Sequence, residues 1–112
     1  MAIEVGAVLA AVADGSRQRI VARLAQGPAT TGQLAELFPI SRPAVSQHLK
    51  ILQNADVVRT TLVGRHRWHE LNPDALHAVA HWATDVAARH EKAPELRRTS
   101  AAPTSSTPPV SS

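Results

Sequence analysis

Two prolines, Pro39 and Pro43, set the tightest limit on what this chain can become. Inside a helix, proline removes a hydrogen bond and clashes with the preceding turn, so Pro39 ends the helix before it. In a first turn its missing N–H costs little, so Pro43 marks the start of another helix. Ser41 stands just ahead of it, with a hydroxyl that can take one of the orphan amides there. One helix must therefore stop and a second begin within residues 38–42.

The helix before the break is short. Thr30 and Gln33 have the spacing of a capping box, and Leu34, Leu37 and Phe38 are its apolar positions. The helix after the break is expected over about residues 42–54. Ala44, Val45, Leu49 and Leu52 form an apolar stripe on it, with His48 and Ile51 on the margins. Ser46, Gln47 and Lys50 point elsewhere, joined by Arg42 and Pro43 at the start. This is helix-turn-helix geometry, in which the second helix enters the major groove and its N-terminal residues meet base edges. The candidate DNA-binding residues on it are Ser41, Arg42, Pro43, Ser46, Gln47, His48 and Lys50. Glutamine can read adenine and arginine guanine, each with two hydrogen bonds, although which base each meets is not written in the chain. His48 has two readings, a phosphate contact or packing at the edge of the stripe.

The flanking segments supply the remaining elements. Residues 3–13 carry Val5, Val8, Leu9 and Val12 at helical spacing. A second helix is expected over about residues 17–25, capped by Ser16, with Ile20, Val21 and Leu24 on one face. Arg17, Arg19 and Arg23 lie largely off that face and read as solvated. Residues 57–63 alternate and are β-branched, Gly64 supplies a turn, and residues 65–71 form a returning strand. Arg65, Arg67 and His69 are expected on one face of that strand, His66 and Trp68 on the other. Trp68 reads as a core anchor for the hairpin, and His66 and His69 as facing solvent. A basic hairpin directly after such a helix is a wing, and Arg65 and Arg67 suit phosphate oxygens or a narrow minor groove. Asn72 can cap a last helix that runs to about residue 91.

The fold class expected is therefore mainly α with a small β-hairpin, a winged helix-turn-helix of order α-α-α-α-β-β-α. Its 112 residues allow one domain, residues 1–92. Residues 93–112 are dominated by Pro, Ser, Thr and Ala and read as a disordered tail. Aromatic residues make up only 3%, so the core must be built from Leu, Val, Ile and Ala. The chain has no cysteine, which excludes disulfides, thiolate metal sites and cysteine nucleophiles. Its first residues lack the basic region of a signal peptide, and no apolar run approaches the roughly 20 residues that span a bilayer, so a cytoplasmic protein without membrane contact is expected. Charge is unevenly placed. Residues 41–69 hold five basic side chains (Arg42, Lys50, Arg59, Arg65 and Arg67) against one acid, Asp56. The net charge of the whole chain is +3, so everything outside that stretch is slightly acidic. Such concentration is the footprint of a phosphate-binding surface. There is no glycine-rich phosphate loop, no nucleophile beside a base and no carboxylate pair, so an enzyme is not expected.

The stretch Ser41-Arg42-Pro43-Ala44-Val45-Ser46-Gln47-His48-Leu49-Lys50-Ile51-Leu52 resembles the arsenical-resistance-repressor (ArsR/SmtB) family of transcriptional regulators. Ala13-Asp14-Gly15-Ser16-Arg17, Gln33-Leu34-Ala35, Val63-Gly64-Arg65-His66-Arg67-Trp68 and Leu71-Asn72-Pro73 extend the match to about residues 5–91. The resemblance implies a repressor that pairs through its first and last helices into a homodimer and sets two recognition helices on a palindromic operator in double-stranded DNA. Apolar terminal helices, larger than a small domain can cover, agree with an interface there. The junction Ala55-Asp56-Val57-Val58 departs from the family's usual Ala-Gly-Leu-Val and calls for a left-handed turn at Asn54 or Asp56.

Sensors in that family hold metal through cysteines, absent here, or through carboxylates and histidines of the last helix. His77 and His81 are spaced to share a zinc ion, with Asp74, Asp85, His90 and Glu91 nearby in sequence. The family's zinc pattern has different intervals, so no metal or other cofactor is expected, and no inducer can be named. The competing function is a winged-helix module that binds protein instead of DNA, which would carry an acidic or apolar face in place of Arg, Ser, Gln and Lys.

Overall fold

The structure is a computed structural model that describes residues 3–92; the tail expected at 93–112 lies outside the described residues. The elements run α1 (Val5–Ala11), α2 (Gly15–Leu24), β1 (Ala29–Thr30), α3 (Thr31–Leu37), α4 (Arg42–Asn54), β2 (Val58–Val63), β3 (His66–Leu71) and α5 (Pro73–Glu91). Two compact units result, one up to Ala80 and the other from His81 onward, so α5 begins in the first and ends in the second. Among the described residues no helix is long and apolar enough to cross a membrane.

In the first unit, Val45, Leu49 and Leu52 of α4 are buried together with Val8, Ile20, Leu24, Leu34, Val57 and Val58. These residues come from α1, α2, α3 and the start of the hairpin, and α4 is in contact with each of them. The stripe read from sequence is thus the hub of the core, while Ile51 stays exposed on its edge. Thr30 and Gln33 form the expected capping box, and the Ser41 hydroxyl accepts from the amide of Ala44. Helix α2, however, is not capped by Ser16. Asp14 caps it, its carboxylate accepting from the Arg17 amide at 3.1 Å. That hydrogen bond holds the Asp14 carboxyl below its ordinary range against a smaller desolvation effect, and the Arg17 charge assists. A carboxylate also suits the positive end of the helix better than a hydroxyl does.

The sheet has three strands in the order β1-β3-β2, where a simple hairpin was expected. The extra strand is the pair Ala29–Thr30, which lies along β3 with Ala29 opposite His69 and Thr30 opposite Trp68. Strands β2 and β3 pair with Val63 opposite His66, which leaves Gly64 and Arg65 as a two-residue turn. Gly64 has φ 63°, the positive angle that mirror-image hairpin turns need. Arg65 therefore sits in the turn and not on a strand face with Arg67 and His69. The junction before the hairpin turns at Asp56, whose φ is 64°. Asn72 secures this corner. Its side chain donates to the Asp56 carbonyl at 2.8 Å and accepts from the Asp74 amide, so α5 starts tied to the α4–β2 junction.

Burial separates the hairpin's two faces. Val58, Thr60, Arg67, His69 and Leu71 alternate onto the inner face, and Trp68 falls on the outer one. Trp68 is only half-buried there, beside Pro28 and Thr61, so it covers the outside of the sheet and is not a core anchor. His69, expected in solvent, is 2% exposed. In the second unit, α5 is largely exposed and carries an Arg89–Asp85 ion pair at 3.3 Å, a surface pair worth little to stability.

Because Leu52 is fully buried at the hub, Leu52→Ala should cost about 2–5 kcal/mol of unfolding free energy in urea titrations. A cost below about 1 kcal/mol would mean that α4 does not anchor the core.

Candidate nucleic-acid interface

Burying Val45, Leu49 and Leu52 turns the opposite side of α4 outward. Arg42, Pro43, Ser46, Gln47 and Lys50 are all exposed on it, and Ser41 is exposed at its cap. Arg42 lies back across the first turn of α3. A Cβ built on Gly32 would come within 2.8 Å of its guanidinium, so the glycine leaves room for the arginine. His48 stands half-buried at the margin. Its Nδ1 is 3.3 Å from Nη1 of Arg17, and a guanidinium can only donate, so Nδ1 accepts and the ring proton sits on Nε2. Arg17 is in turn fixed by its Nε donating to the Ala11 carbonyl. Arg23 donates to the Gly27 carbonyl at 3.0 Å. Arg17 and Arg23 are thus structural ties and not solvated charges, whereas Arg19 is exposed.

The wing contributes Arg65 at its tip and Arg67 on the inner face of β3, both exposed. Arg67 meets α4 across a cleft of about 290 Å³ lined by Ser46, Leu49, Lys50, Gln53, Arg67 and His69. The charged side chains of that lining are both cationic, one from the helix and one from the wing. Asp56 stands at the far end of α4, past Asn54. A polar surface with two flanking cations and no carboxylate can accept a polyanion and present hydrogen-bond donors and acceptors to it.

Beneath the cleft runs a chain of hydrogen bonds that sequence reasoning missed. Gln53 Nε2 donates to Thr60 Oγ1 at 2.7 Å, Thr60 Oγ1 is 2.9 Å from His69 Nδ1, and His69 Nε2 is 2.7 Å from Thr31 Oγ1. Gln53 can only donate through that atom, so the Thr60 hydroxyl accepts from it and has its own proton free for Nδ1. The remaining ring N–H, on Nε2, then reaches Thr31, and a neutral imidazole satisfies the whole chain. Burial holds the His69 pKa below its ordinary value, and the neighbouring charge of Arg67 lowers it further. A signal for this was available. Counting back from the Gly64 turn pairs Thr60 with His69 on the same face as Val58 and Leu71.

His77 and His81 are both exposed. Among the described residues no group of three or more His, Cys, Asp or Glu side chains stands close enough to hold a metal ion.

A helix-turn-helix whose polar face is flanked by a basic hairpin defines the winged helix-turn-helix class of transcriptional regulator. The model for bacterial regulatory proteins of the arsR family matches residues 14–60. The transcriptional repressor SdpR of Bacillus subtilis is 36% identical over 75 residues, which are 67% of this chain and 83% of the repressor. An HTH-type transcriptional regulator of Mycobacterium tuberculosis is 51% identical over 69 residues, 62% of this chain; the match spans 64% of that regulator, just under two thirds of its length. The crystal structure of an ArsR family transcriptional regulator superposes with a TM-score of 0.73 at 29% identity, over 77% of this chain and 94% of that one. The chain belongs to the ArsR family of bacterial regulatory proteins, whose members are regulators and not enzymes.

His69 gives this site a pH signature. Its folded-state pKa lies below the ordinary value of 6.5, so the unfolded chain takes up the proton first as pH falls. The stability it contributes is complete above about pH 6.5 and is lost progressively below it. Unfolding free energy should therefore drop between about pH 7.5 and pH 5.5, and drop less in His69→Gln. Equal pH slopes in the two proteins would contradict the buried neutral ring.

Proposed function

We propose that this protein is a sequence-specific DNA-binding transcriptional repressor. In this reading α4 lies in the major groove and the wing, residues 57–71, grips the flanking backbone. The observation that carries it is the pairing of an exposed Arg42, Ser46, Gln47 and Lys50 on one helix with Arg67 across the cleft from it and Arg65 exposed in the wing's turn. A protein-docking face would call for acidic or apolar side chains at those helical positions. Ser41, Pro43 and Ser46 pack along the groove wall, Gln47 and Arg42 read base edges, and Lys50, Arg65 and Arg67 meet phosphates. His48 offers its Nε2–H to a phosphate oxygen, with Arg17 setting the tautomer.

The active form is a homodimer built from the first and last helices. Leu9 on α1 and Trp82 and Val86 on α5 are large apolar side chains between 37% and 45% exposed, which an isolated protomer leaves in water. Two-fold pairing calls for a palindromic operator with half-sites about 34–36 Å apart, one helical turn. The naming of SdpR as a repressor supports repression here. The site of action is the cytoplasm, where the DNA is.

The test is fluorescence anisotropy of the purified protein with the DNA upstream of its own gene and with random DNA, at two salt concentrations, with and without zinc. Tight, salt-sensitive binding that prefers the upstream fragment is expected, with no change on adding zinc. Equal weak binding to both would speak for protein docking, and a zinc response would give His77 and His81 a role. Two variants separate reading from gripping. Gln47→Ala should weaken binding to the preferred site by about 1–3 kcal/mol and leave random DNA nearly untouched. Arg65→Ala should weaken all sequences alike and lower the salt slope by about one. Equal losses on both DNAs for Gln47→Ala would remove it from base readout.

A further inference from the structure

We infer that His69 is a positioning residue for DNA recognition: with Thr60 it fastens both helices of the helix-turn-helix to one point of the wing, and so sets the spacing between helix and wing contacts. The inference rests on the DNA-binding reading above.

Thr60 and His69 face each other across the hairpin as a register pair. From this pair one hydrogen bond goes to each helix. Thr60 takes the bond from Gln53 of α4, and His69 makes the one to Thr31 at the start of α3. The two bonds are joined through the ring, since Thr60 Oγ1 is also 2.9 Å from His69 Nδ1. Neither helix is otherwise tied to the wing by a side-chain hydrogen bond among the described residues.

The fastening lies directly under the two cations of the cleft. Gln53 is one turn along α4 from Lys50, and residues three apart on a helix are neighbours. Arg67 is two residues from His69, on the same face of β3. Holding Gln53 to Thr60 and His69 therefore holds Lys50 against Arg67 at a fixed separation. The charged side chains that share the ring's cleft are these two, from α4 and from β3; toward the ring, α3 presents Thr31, β1 Ala29 and β2 Thr60. The β1–β3 pairing already holds the start of α3 beside the wing, and the Val57 amide donates to the Leu52 carbonyl at the end of α4; further along the hairpin, its inner face meets α4 through apolar packing, which resists separation but has no direction. Hydrogen bonds from one residue pair to two helices supply that direction. A phosphate backbone has fixed repeat distances, so a wing that slides loses register with a helix already seated in the groove.

The experiment uses the full chain and compares a preferred DNA fragment with random DNA by anisotropy, alongside thermal unfolding by circular dichroism. Thr60→Val keeps the shape and removes the hydroxyl; Thr60→Ser keeps the hydroxyl. His69→Phe and Gln53→Leu cut the chain at its other links. Thr60→Val should lower the preferred-to-random affinity ratio about tenfold while random binding stays within about twofold, and Thr60→Ser should retain the ratio. Combining Thr60→Val with Gln53→Leu should cost no more than the worse single change, because both break one chain. If His69→Phe fails to fold, the Thr60 and Gln53 variants decide. An unchanged ratio in Thr60→Val, or equal loss on both DNAs, overturns the positioning role while leaving the protein a DNA binder. Wild-type protein with no preference for any fragment would defeat the functional reading, and this inference with it.

Discussion

The burial of one stripe of α4 governs everything else in this molecule. Val45, Leu49 and Leu52 are fully or almost fully removed from water, against side chains from α1, α2, α3 and β2. Each such residue is worth about 1.5–3 kcal/mol in its transfer from water alone. That commitment leaves the opposite side of the helix no choice but to face outward, and the outward side is where Arg42, Ser46, Gln47 and Lys50 stand. Core and proposed interface are two sides of one helix, so a change that rotates the helix disturbs both.

A partly buried polar chain complements this apolar hub. Hydrophobic contact gives α4 its stability, but it specifies distance and direction poorly. Thr31, Gln53, Thr60 and His69 supply direction at the point where helix and wing converge. A typical hydrogen bond adds only about 0.5–1.5 kcal/mol net, whereas leaving one partner buried and unsatisfied costs about 1–3 kcal/mol. The chain therefore matters more for excluding misplaced wings than for stability, and the neutral ring of His69 lets every member be satisfied without a buried charge.

Most of this was legible because it depends on local chemistry. Pro39, Ser41 and Pro43 delimit α4 whatever surrounds them, and the Thr30–Gln33 box needs only its own backbone. The left-handed residue before the wing was expected at one of two positions and falls at Asp56. What escaped depends on contacts distant in sequence. A strand of two residues, Ala29–Thr30, has no periodicity to detect; only its pairing with β3 makes it a strand. The burial of His69 follows from that covering strand and from α3 and α4 closing over it, and the half-exposure of Trp68 from its place on the opposite face. Asp14 outcompeted Ser16 as a cap because a carboxylate gains from both the helix terminus and Arg17. Of the proposed interface, the residue list came from pattern, while the laid-back Arg42 and the Arg17–His48 contact needed coordinates.

The central claim is that the outer face of α4 and the wing act as one DNA-binding surface. The most direct measurement is a titration of 15N-labelled protein with the preferred DNA fragment, followed amide by amide by NMR. The account predicts that large shift changes cluster at residues 42–50 and 62–67, together with the Thr60 and His69 amides that join helix to wing. Changes centred on the other side of the sheet, around Pro28, Thr61 and Trp68, with α4 unaffected, would contradict it.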